Sequence, residues 1–282
     1  MKRFASLFAA AGAVAAISAF AFAGGASGAG SLPTLNIALN GKTGVTVSGS
    51  TVSGAVNIVA THTGAGASNA SFQLVRLNPN SNVPPSTAIQ QAFAAVGAHH
   101  GDENALTPLG DLALVSANAP GTVQTVLTPG TWVALNTTSM GKPAFAVFTV
   151  SASSSPAALP AAAGTQSAID FGFKGPTVLK KGTMVRAKNE GFLVHMTFLL
   201  GVKSKSAGQK LIAVLRRGGS RKAQRPFSNG QFVSLMNPAS PGALQQGVLN
   251  AKPGYYVEAC FMNAQTGQEH TELGMERLVQ VK

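Results

Sequence analysis

Cysteine is almost absent from this 282-residue chain: Cys260 is the only one, so no disulfide can close within a molecule. Acid is scarce too. Nine Asp and Glu stand against 21 Lys and Arg, a formal charge of +12 at pH 7. Carboxylates this sparse argue against a glycosidase acid pair. The nucleophile-elbow, phosphate-loop, dinucleotide-glycine and zinc-peptidase signatures are missing as well, so the chain is not expected to be an enzyme. Beyond residue 22 no second long apolar run occurs, and no membrane span is expected in the mature protein.

What is present begins with an export signal. Lys2 and Arg3 precede an uncharged apolar stretch from Phe4 to Phe22, and Ala21-Phe22-Ala23 supplies the small–x–small cleavage pattern. Residues 1–23 read as a signal peptide and 24–30 as a flexible segment of a secreted, extracytoplasmic protein; the other reading is an uncleaved anchor. A single thiol in an exported protein calls for an explanation.

Gly, Ala, Ser, Thr and Val are abundant, which suits short strands joined by tight turns. Residues 151–166 (SASSSPAALPAAAGTQ) carry no strand period and read as a linker. The flanking parts, 31–150 and 167–282, look like copies. Pro120-Gly121, a short strand, and Pro129-Gly130-Thr131-Trp132 in the first correspond to Pro241-Gly242, a short strand, and Pro253-Gly254-Tyr255-Tyr256 in the second. Each copy also holds one short helical pattern: Ile89, Phe93 and Val96 in the first, Leu211, Val214 and Leu215 in the second. Alternation as in Leu35-x-Ile37-x-Leu39 marks half-buried strands. The expected fold class is all-β, with two tandem Greek-key β-sandwich modules, each with an inserted helix.

The second copy carries a particular set of side chains. His195 opens a strand after Asn189-Glu190-Gly191. Cys260 closes the strand that begins Pro253-Gly254-Tyr255, His270 follows in a loop, and Gly274-Met275 leads into the last strand. In this order they resemble the blue copper proteins, the cupredoxins. The resemblance covers the second copy in full and the first only in framework. It implies one copper ion, with Cys260 as thiolate ligand, His195 and His270 as imidazole ligands and Met275 as weak axial ligand. Such a set serves both Cu(I) and Cu(II), so little moves when an electron passes. The lone thiol is then a metal ligand. Read singly, each residue has a plainer role: a core thiol, a loop histidine, a core methionine, a strand-end histidine.

Glu258 shares a strand face with Cys260 by alternation, where that family has an apolar residue. It is expected to pair with a base, to reach water, or to be an extra ligand. In the first copy Asn136 falls at the Cys260 position and Ala70 or Asn69 at that of His195, so no metal site is expected there. His99-His100, near Asp102 and Glu103, reads as a solvated loop. Lys203, Lys205, Lys210, Arg216, Arg217, Arg221, Lys222 and Arg225 form a stretch without an acid. It lacks interleaved aromatics, so nucleic acid is not the expected partner. An anionic surface or an acidic redox partner is, unless the stretch is simply a solvated face. Two functions follow: an exported copper protein for electron transfer or copper handling, or a copper-free binding or structural protein on the same scaffold.

Overall fold

The structure is a computed structural model. It describes residues 31–41, 43–64, 70–80, 83–99, 102, 104, 110–113, 121–138 and 144–282. The signal peptide and flexible segment expected at 1–30, and Asn69, His100 and Glu103, lie outside the described residues. Among the described residues, no helix is long and apolar enough to cross a membrane.

The fold is predominantly β. The first part of the chain forms β1 (Thr34–Asn40), β2 (Gly44–Gly49), β3 (Gly54–Thr63), β4 (Phe72–Leu77), α1 (Pro85–Ala98), β5 (Gly110–Ala113), β6 (Gly121–Leu127), β7 (Gly130–Asn136) and β8 (Phe145–Val150). The rest forms β9 (Gly164–Ile169), β10 (Gly172–Lys174), β11 (Val178–Leu179), β12 (Met184–Asn189), β13 (His195–Val202), α2 (Lys205–Leu215), α3 (Arg221–Gln224), β14 (Ser228–Ala239), β15 (Leu244–Val248), β16 (Gly254–Ala259) and β17 (Glu276–Val281).

Packing divides the chain into two units. One takes the residues up to Pro85 together with Ala113–Ala161, the other Ser86–Leu112 with Ala162–Lys282. Within the first, hydrogen-bonded strands run β6-β3-β1-β2 and β4-β7-β8; within the second they run β15-β12-β9-β10 and β14-β13-β16-β17-β11. The first unit's core joins both of its strand runs. Leu35, Ile37 and Leu39 alternate inward from β1, Val56 and Ile58 from β3, and they meet Phe72, Leu74, Trp132 and Ala134 from β4 and β7. The Trp132 indole N–H is satisfied by the Thr128 carbonyl at 2.8 Å. In the second unit Val185, Leu199, Tyr256 and Val279 form one core cluster. On the other face of β16, Val257 and Ala259 pack against Leu211 and Leu215 of α2. That helix is started by the Ser204 side chain, which accepts the Ala207 N–H. Covered on both faces, β16 has no solvated side, and Tyr256 to Ala259 are all buried.

Two boundaries differ from the sequence reading. The stretch 151–166 is not a free linker throughout. Ser151 and Ala157 carbonyls accept the Ser53 and Ala55 N–H groups, both at 2.8 Å, and Gly164 to Gln166 open β9. Strand pairing with β12 and the Gln166 side chain, which donates to the Pro176 carbonyl at 2.8 Å, override the weak local propensity. The helix α1 lies in the part of the chain read as the first copy, yet nearly all of it groups with the second unit. Asn104 shows one tie: its Oδ1 accepts the Val194 N–H at 2.6 Å.

Asn136 stands at the end of β7. It is buried, and its Nδ2 donates to the Gly41 and Gly44 carbonyls at 3.1 and 2.8 Å. Asn136→Ala should therefore strand two carbonyls and destabilise the protein by about 1–3 kcal/mol in urea unfolding.

Candidate metal centre

Asn189 shapes the segment that delivers His195. Its Nδ2 donates to the Leu193 and Ala239 carbonyls at 2.8 and 2.7 Å, and its Oδ1 accepts the Gly191 N–H at 2.9 Å. Both donors and the oxygen of one buried amide are thus used to fold the turn between β12 and β13. Gly191 has no room for a side chain: a Cβ there would stand 2.6 Å from Asp170 Oδ1 and 2.7 Å from His195 Nε2. The chain then enters β13 with His195 fully buried.

The loop after β16 returns over the same end. The His270 N–H donates to the Met262 carbonyl at 2.8 Å, the Met275 N–H to the His270 carbonyl at 2.9 Å, and the Cys260 N–H to the Met275 carbonyl at 3.2 Å. Cys260, His270 and Met275 are all fully buried.

His195, Cys260 and His270 converge. The two Nδ1 atoms are 3.2 Å apart, and Cys260 Sγ is 3.8 Å from that of His195 and 3.4 Å from that of His270. The centre of that triangle lies about 2.0 Å from each donor, close to the 2.0–2.3 Å that a first-row metal such as zinc keeps to imidazole and thiolate. Sγ also accepts the Met196 N–H at 3.4 Å. Burial lowers the pKa of His195 against the pull of Asp170. It also lowers that of His270, with help from the nearby His195, to about 4. Both rings are neutral at neutral pH, as ligands must be. The donor set fits a metal ion. The Met275 backbone is tied to those of Cys260 and His270.

Glu258 is not among the converging groups. It faces Arg277 in the register of β16 and β17, and Arg277 Nε donates to its Oε2 at 2.6 Å. Burial drives its carboxyl up to about 7 while Arg277 holds it down. Of the three roles open to it, pairing with a base is the one seen. Sequence reading missed Asp170, whose Oδ1 lies 3.0 Å from His195 Nε2. An acid 25 positions from its histidine, in a two-residue turn, carries no motif. His99 is exposed, and among the described residues it joins no metal-type cluster.

No protein-family model matches the chain, and no curated protein does either. Among solved structures it is similar to auracyanin from Roseiflexus castenholzii, at 16% identity over 42% of this chain and 94% of that one, with a TM-score of 0.26. An azurin from Methylomonas sp. strain J matches at 9% identity over 42% of this chain and 95% of that one, with a TM-score of 0.24. A multicopper oxidase matches at 12% identity over 88% of both chains, with a TM-score of 0.23. At these scores the overlays carry no weight. The case for a metal rests on the donor set itself.

Proposed function

We propose that this is an exported, cupredoxin-like copper protein, a carrier of single electrons or of copper rather than an enzyme. The observation that carries the reading is one thiolate donor and two imidazole Nδ1 atoms converging in a buried pocket. Two imidazoles and a thiolate with a thioether at hand suit copper better than zinc, whose structural sites take four strong ligands. His195, Cys260 and His270 would hold the ion and Met275 would be its axial ligand. Copper would supply the one-electron couple; the chain would fix the donors and keep water out. The two halves are read as copies of one β-sandwich framework, of which only the second retains the ligands. The matching strand runs β6-β3-β1-β2 and β15-β12-β9-β10 support that reading.

The basic stretch supports an acidic redox partner or an anionic surface. Its eight Lys and Arg side chains are exposed. Arg216 is already engaged, with Nε 2.5 Å from Glu276, next to Met275. The remaining cations are exposed, where a partner's acids would gain by approaching.

Titration of the metal-free protein with Cu(II) tests the reading. One equivalent should produce an intense visible thiolate-to-copper band. Met275→Leu should keep the band and raise the reduction potential, a tenfold shift in the Cu(II)-to-Cu(I) affinity ratio being about 59 mV. A colourless product, or stoichiometric preference for zinc, would replace this function with that of a copper-free binding or structural protein.

A further inference from the structure

The turn between β9 and β10 touches both imidazoles. Ile169 pairs with Gly172, so Asp170 and Phe171 are the two turn residues. Phe171 has φ 58°, the one positive φ among described non-glycine residues. A left-handed backbone at a bulky residue is strained and persists only where the surroundings hold it. Its ring stands edge-to-face to that of His270, with centroids 5.2 Å apart and planes at 89°.

Asp170 does more. Its Oδ1 lies 3.0 Å from His195 Nε2, and the carboxylate accepts the Phe192 N–H at 3.0 Å and the Leu193 N–H at 3.2 Å. The two backbone N–H groups aimed at the carboxylate make it an acceptor at this turn. An ionised carboxylate only accepts, so Nε2 must carry the ring proton. The Nδ1 lone pair is then free, and Nδ1 is the atom that faces Cys260 Sγ and His270. Gly191 is the residue that allows this approach, since a Cβ there would collide with both partners.

We propose that Asp170 is a positioning residue for the metal centre, fixing the tautomer and orientation of His195 and lending it negative charge. This rests on the copper reading above. A carboxylate behind a ligand histidine strengthens it as a donor, and loss of such a partner typically weakens metal binding about 10–100-fold. The added charge favours Cu(II) over Cu(I).

Three measurements separate this proposal from the copper reading. Nitrogen-15 NMR of the metal-free protein should find His195 protonated at Nε2 alone, and Asp170→Ala should give a mixture of tautomers. Asp170→Ala should weaken copper binding about tenfold or more. Asp170→Asn keeps the shape and an acceptor but removes the charge. It should leave the unfolding midpoint nearly unchanged and raise the potential by about 59 mV, a tenfold shift in the affinity ratio. Wild-type protein that takes up no copper would sink the copper reading, and the NMR result would still judge Asp170. Copper bound equally well by wild type and both variants, at one potential, would overturn the role of Asp170 while leaving the copper reading intact. So would a His195 found protonated at Nδ1 in the metal-free wild type.

Discussion

Cys260→Ser protein mixed with Cu(II) should show no intense visible band at any ratio. The band requires a thiolate donor, and a serine hydroxyl does not ionise near neutral pH. The two imidazoles that remain are a much weaker site, so retained copper should be removable by a mild chelator. The fold should survive. Sγ is small, it sits where the Met196 N–H donates to it at 3.4 Å, and an oxygen can accept the same bond. Replacement of a buried thiol by hydroxyl should cost about 1–2 kcal/mol in urea unfolding of the metal-free protein. A band that persists in the variant would mean that the chromophore is elsewhere and that the triangle of His195, Cys260 and His270 is a packed polar cluster. A variant that fails to fold would assign Cys260 to the core instead.

The strands that alternate, and the turns that Pro-Gly marks, were legible in the sequence. Leu35-x-Ile37-x-Leu39 is β1, and the aromatic-led segments after Pro129 and Pro253 are β7 and β16. The helices were visible from Ile89 and from Leu211 and Leu215, which are buried. Strands specified by partners rather than by pattern were not. In β14 the twelve residues Ser228–Ala239 mix polar and apolar side chains without a period, and their pairing with β13 is broken by register shifts. β9 begins inside an Ala/Ser/Pro tract. The converging donors were legible because His195 and Cys260 stand at strand ends and His270 lies in the loop that joins β16 to β17. Asp170 was not, because its role depends on a turn meeting the loop before His195 across tertiary space. Glu258 showed its abnormality but not its partner. Alternation places it on the Tyr256 face, and only the register of β16 against β17 brings Arg277 opposite.

That pair carries the second large effect. Arg277→Met should destabilise the protein by about 3–5 kcal/mol, because it leaves a buried carboxylate without its counter-charge. The arginine is tied on every side. Nε donates to Glu258 at 2.6 Å, one terminal nitrogen to the Phe173 and Gly175 carbonyls at 3.3 and 3.1 Å, and the other to Gln166 Oε1 and the Lys174 carbonyl. Glu258 is fully buried, whereas the arginine side chain keeps 20% of its exposure. Glu258 therefore suffers more from the loss of its partner than Arg277 would. Its Oε1 finds no hydrogen-bond partner among the described residues, so the Arg277 bond is its main compensation. Glu258→Leu with Arg277→Met should recover most of the loss, since an apolar pair of similar bulk has no charge to desolvate. The double-mutant cycle should then give a coupling of about 3 kcal/mol or more, read from urea midpoints at constant slope. Strictly additive single effects would show that Arg277 acts through the β9–β10 carbonyls rather than through Glu258. In either case the ion pair stands two residues from the Cys260 thiol, so the cycle measures how firmly the end of β16 is held.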